Sequence, residues 1–126
     1  MNILYIEDNR LNFRLVQKML KGQHTVYGAM TGLEGIKEAK KIVPDLILLD
    51  INLPDLDGFK VHEAIREDSE LSHIPIIALT ANSMYGDRER ILDFGFDDYL
   101  AKPVTRIELT NTLANNETKN TVAFAS

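Results

Sequence analysis

Hydrophobic positions along the chain follow two periods in turn, and this alternation predicts strands separated by helices. Short apolar runs predict strands, and stretches with apolar residues three and four positions apart predict helices. Strand starts recur about every 21 to 29 residues, which is the room that a parallel crossover through a helix needs. The predicted strands are NILYIED, HTVYGAM, DLILLD, IPIIALT and DDYLA.

Capping and breaking residues indicate where the helices between the strands begin and end. Thr31 with Glu34, and Thr105 with Glu108, have the spacing of a capping box. Ser83 is a further helix-start signal, for a helix through residue 93.

The first predicted helix lies within residues 9–23 and ends at a glycine. Its apolar residues recur at helical spacing, as on one face of a helix. They are Leu11, Leu15, Val16, Met19 and Leu20.

Five strand and helix units predict an α/β fold with an open, five-stranded parallel sheet. Its five helices are expected to be divided between the two faces of the sheet. A barrel would need eight units. The expected strand order is 2-1-3-4-5, which places a ligand crevice between the first and third strands. Residues 115–126, NNETKNTVAFAS, lack periodicity and are rich in Asn and Thr, so we expect a flexible tail after a short final helix and one domain over residues 1–114.

Composition and charge exclude several classes of function. The chain has 126 residues and no cysteine, which excludes disulfides, thiol nucleophiles and thiolate metal sites and makes the cytoplasm the default expectation. The start MNILYIEDNR does not resemble a signal peptide, and no apolar run is long enough to span a membrane. A net charge of -5 argues against direct nucleic-acid binding.

Reactive side chains gather at the carboxyl ends of the predicted strands. Glu7 and Asp8 follow the first strand, Asp50 ends the third, Thr80 ends the fourth and Lys102 follows the fifth. Carboxylates packed this closely repel one another, and a divalent cation with oxygen ligands relieves the repulsion. Mg²⁺ is favoured over Ca²⁺ because so few protein ligands are offered.

A carboxylate, a divalent cation, an ammonium and a hydroxyl together suit a phosphoryl group. The charge of a phosphoryl group is spread over several oxygens that need neutralising on several sides. Asp50 is the central carboxylate, and an aspartate can attack phosphorus to give an acyl phosphate. Pro54 and Gly58 favour a loop after it in which a backbone carbonyl can face the cation.

These motifs, in this order, resemble the receiver domain of two-component response regulators, a flavodoxin-like fold. The resemblance extends to about residue 114 and implies that Asp50 accepts a phosphoryl group from a sensor histidine kinase or a histidine phosphotransferase. It implies a signalling domain that promotes phosphorylation and dephosphorylation of its own aspartate, rather than a separate enzyme. The matching motifs are Glu7-Asp8, DINLPDLDG with Asp50, Thr80-Ala81 and Lys102-Pro103.

The resemblance also assigns a role to each site residue. Asp8, Asp50 and the backbone carbonyl of Asn52 are expected to bind Mg²⁺ directly, and Glu7 through water. Thr80 and Lys102 are expected to hold the phosphoryl oxygens. The remaining implied features are a switch pair of Thr80 and Tyr99, Ala81 and Asn82 as neighbours that affect access and lifetime, and a cis bond before Pro103.

The implied partners are a phosphodonor protein and a downstream protein target that binds helix four, strand five and helix five. We expect a stand-alone receiver that is a monomer or a weak dimer, since nothing after residue 114 resembles an output domain, although a piece of a longer regulator would look the same. The loop ANSMYGD has the small residues that a switch motion needs.

Three alternatives are weighed against this interpretation. An EF-hand is rejected because Pro54 falls where the calcium loop needs an oxygen ligand. A phosphatase-like hydrolase would need a second acid where Asn52 stands. An unphosphorylated interaction module remains open, although no acid is missing. The three histidines, His24, His62 and His73, are expected at the surface.

Overall fold

A single parallel sheet forms the centre of the computed structural model, which describes residues 1–81 and 87–125. The strand order is β2-β1-β3-β4-β5, so the predicted fold class and strand order are confirmed. The strands are β1 (Asn2–Ile6), β2 (Thr25–Ala29), β3 (Leu46–Asp50), β4 (Ile76–Thr80) and β5 (Asp98–Ala101).

Helices cover both faces of this sheet. The apolar side chains of α2, α3 and α4 pack on one face, and those of α1 and α5 pack on the other. Because the inner strands are covered twice, they consist of continuous apolar runs, and every residue of β3 and β4 is buried. The helices are α1 (Arg10–Leu20), α2 (Gly32–Ile42), α3 (Gly58–Glu67), α4 (Asp87–Phe94) and α5 (Arg106–Ala125).

The threonines of the two predicted capping boxes cap α2 and α5, whereas the glutamate side chains make other contacts: Glu34 accepts the Met30 amide and Glu108 accepts the Thr105 hydroxyl. The Thr31 hydroxyl accepts a hydrogen bond from the Glu34 amide at 3.1 Å. The Thr105 hydroxyl accepts one from the Glu108 amide at 3.2 Å. Ser83, the third start signal, lies outside the described residues.

Helix α1 packs through only part of the predicted apolar face. Val16 and Leu20 are buried, and Met19 packs against the same cluster, as does Phe13, which the predicted face did not include. Leu11 is 76% exposed and Leu15 is 46% exposed, so these two residues of the predicted face lie outside the core. Helical spacing shows that apolar residues share a face, but it does not show which edge of a broad face contacts the sheet.

Helix α5 is longer than the short final helix that the sequence predicted. It has 20 residues and runs to Ala125 through the Asn- and Thr-rich segment. Buried Leu109 and Leu113 anchor its first half. Extending an anchored helix adds one hydrogen bond per residue without a new nucleus, which allows weak helix formers to follow. The domain limit at residue 114 and the flexibility of the segment after it stay predictions.

No helix among the described residues is long and apolar enough to cross a membrane.

Candidate functional site

Strand register brings the predicted site residues to one edge of the sheet. Ile6 pairs with Leu49, so the next residues along each strand, Glu7 and Asp50, lie side by side. Carboxylate oxygens of Glu7, Asp8 and Asp50 all lie within 4.8 Å of one another. The carboxyl ends of β1 and β3 therefore form an acidic pocket at the point where the strand order reverses.

Lys102 reaches into this pocket from the end of β5. Its ammonium lies 2.7 Å from Glu7 Oε2 and 2.9 Å from Asp50 Oδ2. Its backbone amide donates to the Thr80 carbonyl at 2.8 Å, which fixes the lysine against the end of β4. Burial alone would lower the pKa of Lys102, but its hydrogen bonds to Glu7 and Asp50 outweigh burial and raise that pKa. The ammonium therefore stays charged between two buried carboxylates.

Glu7 is held by donors on both of its oxygens. Oε2 accepts the Tyr5 hydroxyl at 3.3 Å in addition to Lys102. Oε1 accepts the Asn9 amide at 3.3 Å and the Asn12 side-chain amide at 3.2 Å. Burial raises the pKa of Glu7, and burial followed by the negative charge of Glu7 raises the pKa of Tyr5. The Tyr5 hydroxyl therefore stays protonated and donates.

The Asp50 carboxylate accepts a hydrogen bond from a backbone amide of the loop that follows β3. The Asn52 amide donates to Asp50 Oδ1 at 2.9 Å, so both carboxylate oxygens of Asp50 have donors. Gly58 starts α3 close to the strand end, where a Cβ would lie 2.8 Å from Ile51 Cα. Only a glycine permits this approach, which closes the loop back onto β3.

The other predicted residues lie around the pocket as follows. Thr80 is buried at the end of β4, whereas Asp8 and Ala81 are exposed. Tyr99 is half-buried and packs against the core cluster under α2, α3 and α4. The Lys102–Pro103 peptide bond is cis. The predicted neighbour Asn82 lies outside the described residues, as does most of the loop ANSMYGD.

The histidine prediction is wrong for His62. This side chain is 4% exposed and lies 4.4 Å, centroid to centroid, from the Phe96 ring and 5.3 Å from the Phe94 ring. His73 is exposed and His24 is half-buried. His62 lies between Val61 and Ile65 on the inner face of α3. The helical spacing that predicts burial of Val61 and Ile65 therefore also predicted burial of His62.

Tyr5 and Asn12 are site residues that the sequence reasoning missed. A signal existed for Tyr5, since it stands two residues before Glu7 and alternate strand residues share a face. Asn12 gives no such signal, because its contact with Glu7 depends on how α1 leaves the strand.

The donor set of the pocket fits a hard divalent cation. Three carboxylates offer oxygen ligands within a small space, and the described residues place no sulfur or imidazole ligand with them. Mg²⁺ takes one or two carboxylates and completes its shell with water. The exposed Asp8 and the exposed Asn52 leave one side of the pocket open to solvent.

Comparison with known proteins gives one consistent result. The chain matches the family model of the response regulator receiver domain over residues 3–114. It is 41% identical over 106 residues to the polar-differentiation response regulator DivK of Brucella ovis, covering 82% of this chain and 85% of that protein. DivK of Brucella suis matches to the same extent.

Solved structures agree with this result. The receiver domain of the sensor histidine kinase PA1611 from Pseudomonas aeruginosa superposes with a TM-score of 0.85 at 39% identity, over 93% of this chain and 97% of that one. That structure has a magnesium ion coordinated in its active site cleft. The chemotaxis protein CheY4 of Vibrio cholerae gives a TM-score of 0.83 at 27% identity, over 90% and 96% of the two chains.

The chain therefore belongs to the response regulator receiver domain family. It is a signalling domain of the two-component type, a class whose members interact with histidine kinases and downstream targets.

Proposed function

We propose that the protein receives a phosphoryl group on Asp50 from a phosphohistidine and changes its protein contacts in response. The observation that carries this proposal is the position of Asp50, which shares a pocket with two further carboxylates and accepts the Lys102 ammonium at 2.9 Å. A carboxylate in that setting has a place for a cation on one side and a fixed positive charge on the other. Both reduce the electrostatic repulsion between an anionic nucleophile and a phosphoryl group.

The transfer step moves phosphorus from nitrogen to oxygen. One Asp50 oxygen attacks the phosphorus, the P–N bond of the phosphohistidine breaks, and the electron pair of that bond returns to the imidazole, which takes up a proton. Lys102 and Thr80 hold the phosphoryl oxygens as charge shifts onto them. Hydrolysis of the acyl phosphate by water returns Asp50 and releases inorganic phosphate, which makes the signal reversible.

The residues that would hold Mg²⁺ are Asp8, Asp50 and the carbonyl of Asn52, with Glu7 acting through a bound water. When bound, Mg²⁺ neutralises charge on the carboxylate and on the incoming phosphoryl group. Glu7 suits the indirect role because four protein donors already occupy its two oxygens. The magnesium ion in the PA1611 receiver, at 39% identity, supports the same choice of metal.

The switch would run from Thr80 to Tyr99. Thr80 moves towards the new phosphoryl group, and Tyr99 turns inward into the space that this movement leaves. The hydrogen bond from the Lys102 amide to the Thr80 carbonyl connects the ends of β4 and β5. A movement of Thr80 would therefore shift the end of β5, the edge strand that carries Tyr99. A downstream target would then distinguish the two forms on the face made by α4, β5 and α5.

The phosphodonor would dock on exposed apolar side chains of α1 and α5. Leu11 and Leu15 on α1 and Ile107 on α5 are exposed, and Leu15 and Lys102 line a small groove between α1 and the turn after β5. An apolar rim beside a charged centre suits a histidine-bearing helical domain of a sensor kinase or a histidine phosphotransferase.

A cytoplasmic location and a monomer or weak dimer remain predictions of this function.

The test is incubation with radiolabelled acetyl phosphate, with and without Mg²⁺. We expect Mg²⁺-dependent labelling of the unchanged protein and none of Asp50→Asn. Asp57→Asn is the matched control, since it removes a carboxylate from the same loop outside the pocket, and it should be labelled normally. Unchanged labelling of Asp50→Asn would show that the acceptor is wrong.

Two further results would favour the alternatives. Steady turnover of small phosphate esters would indicate a hydrolase. Absence of labelling by acetyl phosphate and by a panel of histidine kinases would indicate an interaction module that works unphosphorylated. Labelling by one kinase of that panel would also identify the class of donor.

A further inference from the structure

Asp55 lies in the loop after Asp50 and reaches across to the start of α2. We propose that Asp55 is a positioning residue that holds this loop where Asn52 can serve the phosphorylation site. The inference rests on the proposed function and extends it to a residue outside the acidic pocket.

Both carboxylate oxygens of Asp55 accept backbone amides of α2. Oδ1 accepts the Gly32 amide at 2.7 Å and Oδ2 accepts the Leu33 amide at 3.0 Å. Together with the bond from Glu34 to Thr31, they satisfy the first three amides of the helix. These backbone bonds hold the pKa of Asp55 below its usual value. Asp55 is therefore a charged cap supplied by a distant part of the chain.

The backbone of α2 and the loop are in close contact at this point. A Cβ on Gly32 would lie 2.9 Å from Val61 Cγ2 and 3.0 Å from Leu56 Cβ. A real side chain there would push the helix and the loop apart, so the glycine is required by the same contact that Asp55 completes. Two independent features thus dock the loop on α2.

The other end of the same loop touches the phosphoacceptor. The Asn52 amide donates to Asp50 at 2.9 Å, and the Asn52 carbonyl is the proposed third ligand of Mg²⁺. Only Leu53 and Pro54 separate Asn52 from Asp55, and the fixed φ of proline removes much of the freedom between them. A shift of the loop at Asp55 is therefore passed on to Asn52.

Asp57 offers a matched control within the loop. Its carboxylate accepts the Lys60 amide at 2.9 Å and caps α3, the helix that the loop itself leads into. Removal of Asp57 deletes a helix cap of the same chemical type without releasing the loop from α2. Any effect that Asp55 shares with Asp57 is an effect on stability alone.

The experiment measures Mg²⁺ binding by isothermal titration calorimetry, and thermal unfolding, for the unchanged protein, Asp55→Ala, Asp55→Asn and Asp57→Ala. We expect Asp55→Ala to raise the Mg²⁺ dissociation constant by up to about tenfold, the lower end of the effect of losing a partner bonded to a metal ligand, because Asp55 acts on Asn52 through the loop. Asp57→Ala should lower the unfolding temperature and leave the dissociation constant unchanged. Asp55→Asn keeps one accepting oxygen and should fall between the unchanged protein and Asp55→Ala.

Labelling provides the second readout. Asp55→Ala should be labelled poorly at limiting Mg²⁺ and normally at saturating Mg²⁺, because the acceptor itself is intact. Should Asp55→Ala fail to fold, Asp55→Asn allows the same comparison with Asp57→Asn.

Equal dissociation constants for the Asp55 and Asp57 variants would overturn the inference and leave the proposed function standing. Absence of Mg²⁺ binding and of labelling in the unchanged protein would overturn the proposed function, and this inference with it.

Discussion

Mild acid is expected to weaken the fold through His62. This imidazole is buried between α3 and the Phe94 and Phe96 rings, and neither ring nitrogen has a hydrogen-bond partner among the described residues. Burial lowers the pKa of His62, and this effect outweighs the opposing influence of the nearby Gly95 backbone. Other charges near the ring are those of Arg66, which lowers the pKa, and Asp97 and Glu63, which raise it.

The size of the effect follows from the difference between folded and unfolded chains. The unfolded chain has the ordinary histidine pKa of 6.5, so below that pH it binds a proton that the folded protein resists. Stability from His62 is therefore complete above pH 6.5 and is lost as the pH falls towards the lowered folded pKa. Between about pH 7.5 and about pH 5.5 the loss reaches at most about 1.4 kcal/mol. For a domain of this size, that is a fall of roughly 5 °C in the unfolding temperature.

The assay is calorimetric unfolding at a series of pH values for the unchanged protein, His62→Phe and His73→Gln. His62→Phe keeps an aromatic ring against Phe94 and Phe96 but cannot take up a proton. All three proteins carry the same carboxylates, so the difference between the unchanged protein and His62→Phe reports the histidine and its interactions. We expect that difference to depend on pH, and His73→Gln, at an exposed histidine, is the control for the loss of a histidine. Parallel curves for the unchanged protein and His62→Phe would refute the reasoning.

Two further predictions concern charge coupling and backbone strain. Lys102→Ala should still be labelled by acetyl phosphate. In nuclear magnetic resonance spectra of this variant, the Tyr99 ring resonances should not shift on labelling, because the ammonium that contacts the phosphoryl group is gone. A normal shift would count against that role of Lys102. Val43 ends α2 with a φ of 47° and is 44% exposed, so it is a strained β-branched residue that contributes little packing. Val43→Asn should raise the free energy of unfolding in urea by about 0.5 to 1 kcal/mol, since asparagine tolerates the left-handed region, and an unchanged or lower value would contradict the strain.

Much of the fold was predictable because its signals are local. Continuous apolar runs marked β3 and β4, and the capping boxes at Thr31 and Thr105 marked the starts of α2 and α5. The strand order followed from the number of units and from the rules of parallel sheets. The apolar face of α1 was predicted only in part, because helical spacing does not show which edge of a broad apolar face contacts the sheet.

Candidate site residues were predictable where strand ends carry them. Glu7, Asp50 and Lys102 meet because parallel register aligns the ends of their strands. The capping of α2 by Asp55 was not predictable, because it joins residues 22 and 23 positions apart through a loop whose path no local pattern specifies. Asn12 was missed because its contact with Glu7 depends on how α1 leaves β1.

The contact between Lys102 and Glu7 joins positions 95 residues apart, and this separation has a consequence for synthesis of the protein. Both buried acids are encoded in the first half of the chain, and the cation that balances them is encoded in the last quarter. A nascent chain on the ribosome therefore carries an uncompensated pair of negative charges until β5 has emerged. Burial of Glu7 and Asp50 before that strand arrives would leave two charges unpaired in the interior, which is costly unless a cation from solution takes the place of Lys102.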